Sequence, residues 1–502
     1  MSKNSDQPKP KNPDNRYVND LRRLEFSQRQ SMGVTGSLLP ITAAVFFLGI
    51  VAFIAGQYIA QDSSHVIILA ITAMVGGYMA LNIGANDVAN NMGPAVGGKV
   101  ITVTTAVIIA AIFESAGALL AGGDVVSTIA KGIIEPDPSL SVIDFRILML
   151  SALLAAALWI NLATWLNAPV STTHSIVGGV LGAGIAAAGF AMVNWTMMAS
   201  IAASWVISPA LGAMIAASLL YFIKVKILNV EDRRAAALRW VPVLIALMAG
   251  AFAAYMTLKG LKRIVKFSGT EIIFFASSAA ILGYFLSKPY IQKKILTISN
   301  SRKDIYTLFN VPLIIGVSLL SFAHGANDVA NAVGPLAAIV STLEVDSGVA
   351  SKAVIPIWVM LIGAIGISLG LALFGPRLIR TVGQKITRLN APRAYCVALS
   401  SAITVLIASS LALPVSSTHI AIGAIFGVGF LREFLESPDR KKKKPNHKLN
   451  ATSKDAFRNI KANAKRRLVR RNFVYTIAAA WVITVPSSAI LAMLLFFGLR
   501  LL

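Results

Sequence analysis

Uninterrupted apolar runs, each roughly 17 to 25 residues long, recur along this chain and constrain its fold more than any other feature. A helix of that length spans a hydrocarbon core of about 30 Å. Eleven such runs stand between Leu38 and Leu499. Two further segments, Val170 to Ala188 and Val415 to Phe430, are apolar but rich in glycine and read as crossing or re-entrant. The runs are too long and too evenly apolar for barrel strands, which alternate in polarity, and lipid demands that every backbone group be bonded internally. The expected fold is an all-α integral membrane protein, a polytopic helical bundle of about 11 to 13 membrane segments with re-entrant or broken helices.

Lys and Arg number 46 against 22 Asp and Glu, an excess that in a soluble chain would point to nucleic acid. Its location removes that inference. The basic residues gather before Val34 and in loops at 224–239, 288–303, 377–393 and 432–471, the last with fifteen Lys and Arg against four acids. This is the pattern of cytoplasmic loops lying on anionic lipid, so the expected partner is the membrane and no nucleic acid. Cys396 is the single cysteine, which excludes an intrachain disulfide. The first apolar run, preceded by more than thirty mostly polar residues, reads as an uncleaved helix.

The chain also repeats itself. GANDVANNMGP at 84–94 returns as GANDVANAVGP at 325–335, nine of eleven positions matching, and PVSTTHSIVGGVLGAG at 169–184 returns as PVSSTHIAIGAIFGVG at 414–429. Two motifs in the same order at nearly the same separation mean a duplicated unit. Threading the chain with its basic tail inside puts the basic loops inside and the acidic 123–144 loop outside, with only the Lys259 to Lys266 loop misplaced. The same threading puts Asp87 near the inner face and Asp328 near the outer face, so two inverted repeats are expected, as in secondary transporters. The expected division is a basic cytoplasmic tail (1–33), an extra N-terminal transmembrane helix (34–65), a first repeat (66–223) and a connector with two transmembrane helices (224–307). There follow the first part of a second repeat (308–431), a basic cytoplasmic loop (432–471) and a last helix (472–502) that completes the repeat.

An aspartate in hydrocarbon costs about 2.5 to 3.5 kcal/mol and needs compensation. Neither GANDVAN phrase contains a Lys or Arg, so a bound cation or a proton is the natural partner of Asp87 and Asp328. Side-chain oxygens, with carbonyls freed where a helix breaks at Gly-Pro, suit a hard alkali cation. A single copy reads equally as a turn; two copies in inverted halves read as a site. The PVS(T/S)TH phrases read as helix N-termini with free hydroxyls and unpaired N–H groups, a setting for an oxyanion or for plain capping. His174 and His419 read as buried or capping histidines, or as proton carriers. Glu114 is a lone carboxylate inside an apolar helix, replaced in the second half by GISLG (Gly366 to Gly370), and is either a functional group or part of a small-residue packing stripe. An anion beside two aspartates is repelled unless cations accompany it, which makes co-binding a coupling mechanism. A passive channel needs a continuous polar lining that this chain lacks, and neither an HExxH pair nor a phosphate-binding Gly-Lys-Ser/Thr loop supports an enzyme.

At the paired GANDVAN and PVSTTH phrases, over about residues 66 to 502, the chain resembles the inorganic phosphate transporter (PiT) family. GANDVANNMGPAVGGKVITVTTAVIIAAIFESAGALLAGG is similar to its sodium-coupled members. The resemblance implies import of inorganic phosphate by cation symport through alternating access, with sodium or else protons as the co-transported ion and no cofactor. It also implies a multi-pass protein of the cell membrane (inner or plasma membrane) and a homodimer. Carried over, Asn86, Asp87, Asn327 and Asp328 would take the cation, with sodium at Asp87 and Asp328. Ser171, Thr172, Thr173, Ser416, Ser417, Thr418, Asn90 and Asn331 would hold phosphate, and Glu114, His174 and His419 are coupling candidates. Proton-coupled phosphate or sulfate symport is the alternative within the family. The missing counterpart of Glu114 departs from a symmetric pattern, and the extra first helix and long basic tail depart from the shortest family members.

Overall fold

The computed structural model describes residues 34–58, 63–134, 140–166, 170–262, 265–343, 355–385, 389–436 and 471–501. The basic tail and nearly all of the 432–471 loop lie outside the described residues, as does Pro169. The described residues are helical, with only an isolated bridge between Ile134 and Val193. Twelve of the helices are long and apolar enough to cross a membrane. In chain order the helices are α1 (Val34–Tyr58), α2 (Ser63–Gly97), α3 (Val103–Ala121), α4 (Gly123–Lys131), α5 (Val142–Trp165), α6 (Thr172–Ala188), α7 (Trp195–Ile223) and α8 (Arg233–Tyr255). After them come α9 (Gly269–Ile295), the short α10 (Arg302–Thr307), α11 (Asn310–Leu343), α12 (Ile357–Lys385), α13 (Ala391–Ser410), α14 (Ser417–Glu436) and α15 (Arg471–Arg500).

Local sequence sets many of the starts. Thr102, Ser141, Ser171, Asn194, Asp232, Ser268, Ser301 and Asn390 each accept a hydrogen bond from a backbone N–H of the first turn, and Ser268 forms a reciprocal capping box with Glu271. The expected break at Gly-Pro is absent. α2 runs through its phrase and Pro94 to Gly97, and α11 runs through its own phrase and Pro335 to Leu343. Both phrases are therefore interior helical turns. At 1.5 Å per residue, helices of 35 and 34 residues reach about 50 Å, well beyond the hydrocarbon thickness.

α2 and α11 cross in opposite directions: Gly76 approaches Ala332 while Asp87 approaches His324. Each also packs along a helix of the other half, α12 on α2 and α3 on α11. The first glycine of each phrase permits this. A methyl added to Gly84 would overlap the Ile367 carbonyl, and one added to Gly325 would overlap the Glu114 carbonyl. α3 and α12 meet through reciprocal bonds. The Ser115 and Ser368 hydroxyls lie 2.6 Å apart, Ser115 donates to the Ala364 carbonyl and Ser368 to the Ala111 carbonyl. The late helices pack crosswise, α7 on α14 and α15 on α6, with Gly423 against Pro209 and Gly178 against Val485.

The misplaced basic loop is explained by its contacts. Lys259 and Lys262 both reach Asp124 at the start of α4, in the acidic loop expected on the same side. Partial burial pushes the Asp124 carboxyl up, but the hydrogen bonds and charges of the two lysines outweigh it and hold the group below its ordinary value.

Candidate functional site

The four repeated phrases converge on one buried cluster. α2 presents Asn86, Asp87 and Asn90, and α11 presents Asn327, Asp328 and Asn331, at spacings of three and four that share a helix face. The starts of α6 and α14 supply the hydroxyls. The Thr418 hydroxyl donates to Asp87 Oδ1 (2.9 Å) and accepts from Asn90 (2.8 Å). In the matching position, the Thr173 hydroxyl accepts from Asn331 (3.0 Å) but donates to the Val415 carbonyl (2.9 Å). Ser417 donates to Asp328 Oδ2 at 3.0 Å. Thr172 Oγ1 stands between the carboxylates, 3.1 Å from Asp87 Oδ2 and 3.5 Å from Asp328 Oδ2. Its single proton can serve one of them at a time.

Asn86 and Asn327 tie the phrase helices to the approaching chain. Asn86 donates to the Val170 carbonyl, while Asn327 donates to Ser409 and the Leu413 carbonyl and accepts from the Val415 N–H. Ser171 and Ser416 are occupied as caps, accepting from the N–H groups of His174 and His419. The rings of His174 and His419 meet edge to face with centroids 4.6 Å apart, His174 also stacking on Trp205 at 3.7 Å. These rings join the Thr173 bond to the Val415 carbonyl in holding the two helix starts together.

The aspartates do not lie near opposite faces, where threading places them. Asp87, Asp328 and His324 bring one ligand atom each to within 4.8 Å of one another, and all three are essentially inaccessible. The physical reason is the continuous helix: antiparallel helices that cross at their phrases bring both aspartates to one depth.

His324 and Asn91 enter this cluster although sequence reading missed both. His324 Nε2 lies 3.1 Å from Asp328 Oδ2 and 3.9 Å from Asp87 Oδ2, and its Nδ1 lies 3.3 Å from Glu114 Oε1. These are close polar contacts off hydrogen-bond alignment. Asn91 donates to Glu114 Oε1 at 2.8 Å. The signal was present: His324 sits four residues before Asp328, and Asn91 four after Asp87, so a helical reading puts each on the aspartate's face. Glu114 thereby joins the site through His324.

Four buried acceptor oxygens of the cluster have no partner among the described residues: Asp328 Oδ1, Asn331 Oδ1, Asn91 Oδ1 and Glu114 Oε2. Buried polar atoms are ordinarily bonded, and unmet acceptors call for a cation or a proton donor. The oxygens of Asp328, Asn331 and Asn91 suit an alkali cation, whereas the imidazole does not.

A family model described as the phosphate transporter family matches residues 83–492. A Helicobacter pylori protein named as a phosphate permease is 43% identical over 526 aligned positions, covering 96% of this chain and 98% of its own length. A Pyrococcus abyssi protein with a phosphate permease name is 40% identical, covering 72% of this chain and 89% of its own. Among solved structures, "The sodium-dependent phosphate transporter" superposes with a TM-score of 0.77 at 34% identity, over 87% of this chain and all of its own.

Proposed function

Since the chain belongs to the phosphate transporter family, we propose that it imports inorganic phosphate across the inner or plasma membrane by symport with a cation, sodium in the first place. The observation that carries the coupling is the burial of Asp87 and Asp328 in one cluster, beside hydroxyls from both helix starts. An anion at those hydroxyls sits against two carboxylates in a low dielectric, where repulsion is strong. A cation bound to the unmet oxygens removes that repulsion, so each ligand favours the other's binding. Phosphate also carries protons near neutral pH and can donate to Asn or carboxylate oxygens, which sulfate cannot.

The antiparallel crossing of α2 and α11, with the exchanged packing of α3 and α12, supports two inverted repeats and alternating access around a central site. In this arrangement the Thr172 and Thr418 hydroxyls are turned to the carboxylates. Phosphate binding at the six helix-start residues would redirect these donors, with Asn90 and Asn331 following. Likeness to a transporter that is itself sodium-dependent supports sodium as the partner ion. Proton coupling is favoured by one observation, the placement of His324 between Glu114 and Asp328. The homodimer implied by resemblance is checked by cross-linking in native membranes.

The deciding experiment is uptake of labelled phosphate by proteoliposomes, with sodium and pH gradients imposed separately and sulfate and arsenate as competitors. Uptake driven by a sodium gradient alone is the expected result. Uptake driven only by a pH gradient would replace sodium with protons, and sulfate uptake that phosphate fails to inhibit would overturn the substrate. Counterflow against a gradient excludes a passive channel.

A further inference from the structure

Away from the cluster, a cavity of about 610 Å³ opens between the α8/α9 hairpin and α11. Its walls include Phe252 from α8, Leu286 and Tyr290 from α9, Ile315 and Leu319 from α11, and Phe113 from α3. Two serines reach it, but Ser287 and Ser318 each donate to a carbonyl of their own helix, to Tyr284 and Ile314 respectively. The lining therefore offers hydrocarbon contact and suits no polar solute. α9 packs chiefly on α8, and none of its central stretch is buried in the chain.

Two features identify the occupant. The first is length. The α9 lining runs from Ala279 to Tyr290, about 16 Å of helix, which is close to half of a 30 Å hydrocarbon core. The groove is thus as long as one leaflet. The second is charge at one end. The lining stripe on α9, Gly283, Leu286 and Ser287, Tyr290, continues by helical spacing onto exposed Lys293 and Lys294, and Lys303 stands exposed shortly before α11. The 288–303 loop is one of those that positive-inside threading assigns to the cytoplasm, where anionic lipid headgroups gather.

We propose that this groove binds a single anionic phospholipid of the cytoplasmic leaflet, one acyl chain lying against Phe252, Leu286 and Ile315 and the phosphate held among Lys293, Lys294 and Lys303. The inference is independent of the coupling ion. It carries a consequence for the site, because Phe113 lines the groove and is the sequence neighbour of Glu114, which contacts His324. A bound chain supports the helix that carries a site carboxylate.

The test is native mass spectrometry of the full-length protein released from nanodiscs containing phosphatidylglycerol and phosphatidylcholine in equal amounts. One phosphatidylglycerol per chain is expected to be retained, in about tenfold preference over phosphatidylcholine. The double variant Lys293→Gln/Lys294→Gln is expected to lose that tenfold preference, since basic residues near the surface are what attract an anionic headgroup. Ile315→Trp, which fills the groove from a half-exposed position, is expected to lose retention of both lipids at unchanged melting temperature. The charge variant decides the matter if the tryptophan variant fails to fold. Equal retention of the two lipids, or retention unchanged in the charge variant, would overturn the proposal. So would efficient cross-linking of Ile315→Cys to a second copy in membranes, which would make the groove a face between copies.

Discussion

The helix that carries Asp87 and the helix that carries Asp328 match at nine of eleven phrase positions, yet their surroundings differ in charge. Where α11 has His324, α2 has Ile83; where α2 has Asn91, α11 has Ala332. Ser115 and Ser368 donate to carbonyls four residues back on each other's helix, which aligns Glu114 of α3 with Ile367 of α12. The backbone frame and its aspartates are thus duplicated, while two further ionisable groups upon it, Glu114 and His324, are not. One half brings an extra acid with its amide partner, and the other brings a base. Close helix crossing forces the same glycines in both copies, because a Cβ there would overlap a carbonyl. Charge need only sum correctly over the assembled cluster, so it can be divided unequally.

The largest expected effect tests whether the two aspartates are equivalent. Asp87→Asn and Asp328→Asn are each expected to lower labelled phosphate uptake by about 100-fold or more at unchanged membrane insertion, as loss of a buried charge interaction worth several kcal/mol implies. Wild-type uptake in either variant would remove that aspartate from the mechanism. Next comes the unequal pair. Glu114→Gln and His324→Gln are each expected to cost about tenfold, and the double variant no more than the worse single, because contacting residues couple. Additive losses in that cycle would separate Glu114 from His324.

A smaller effect probes the shared frame. Gly84→Ala and Gly325→Ala are each expected to destabilise by about 1 to 3 kcal/mol through overpacking, read as similar falls in melting temperature in detergent. A large difference between them would mean the crossings are not equivalent. The smallest effect lies at the rim. The Asp124 carboxyl is held low in the folded protein, so its contribution is complete above the unfolded value near 3.9 and fades as pH falls through the folded one. Asp124→Asn is therefore expected to lower stability at pH 7 by at most about 1 kcal/mol, the pair being partly exposed, with the difference from wild type closing in strong acid. A difference that grew in acid would contradict the Lys259 and Lys262 pairing.

Much of the fold was legible because its signals are local. Apolar runs marked the membrane helices, and the hydroxyls of the PVSTTH phrases marked two helix starts, Ser171 capping one of them. The PVSTTH reading as a helix N-terminus agrees with α6 and α14, which begin at Thr172 and Ser417. The GANDVAN phrases were expected to break their helices at Gly-Pro, and that expectation went astray: Asn, Asp, Gly and Pro favour turns, and yet both phrases are helical. Their turn preference is overridden because α2 and α11 are buried against α12 and α3, and the Asn side chains bond neighbouring chain and hydroxyls in place of their own backbone. His324 escaped notice because it falls one residue outside the matched phrase.

By itself the sequence determined a helical membrane protein, its duplicated phrases, the basic loops and the residue types able to meet a cation and an oxyanion. Apart from the duplication, which is a match along the chain, each of these depends on neighbours within a turn or within one apolar run. Only the tertiary structure decided that Asp87, Asp328, Glu114 and His324 share one cluster at one depth, and that Thr172 stands between the two carboxylates. Coulombic and hydrogen-bond energies depend on separations of a few ångströms between groups that stand as far as 241 residues apart in the chain, as Asp87 and Asp328 do, and helix crossing fixes those separations.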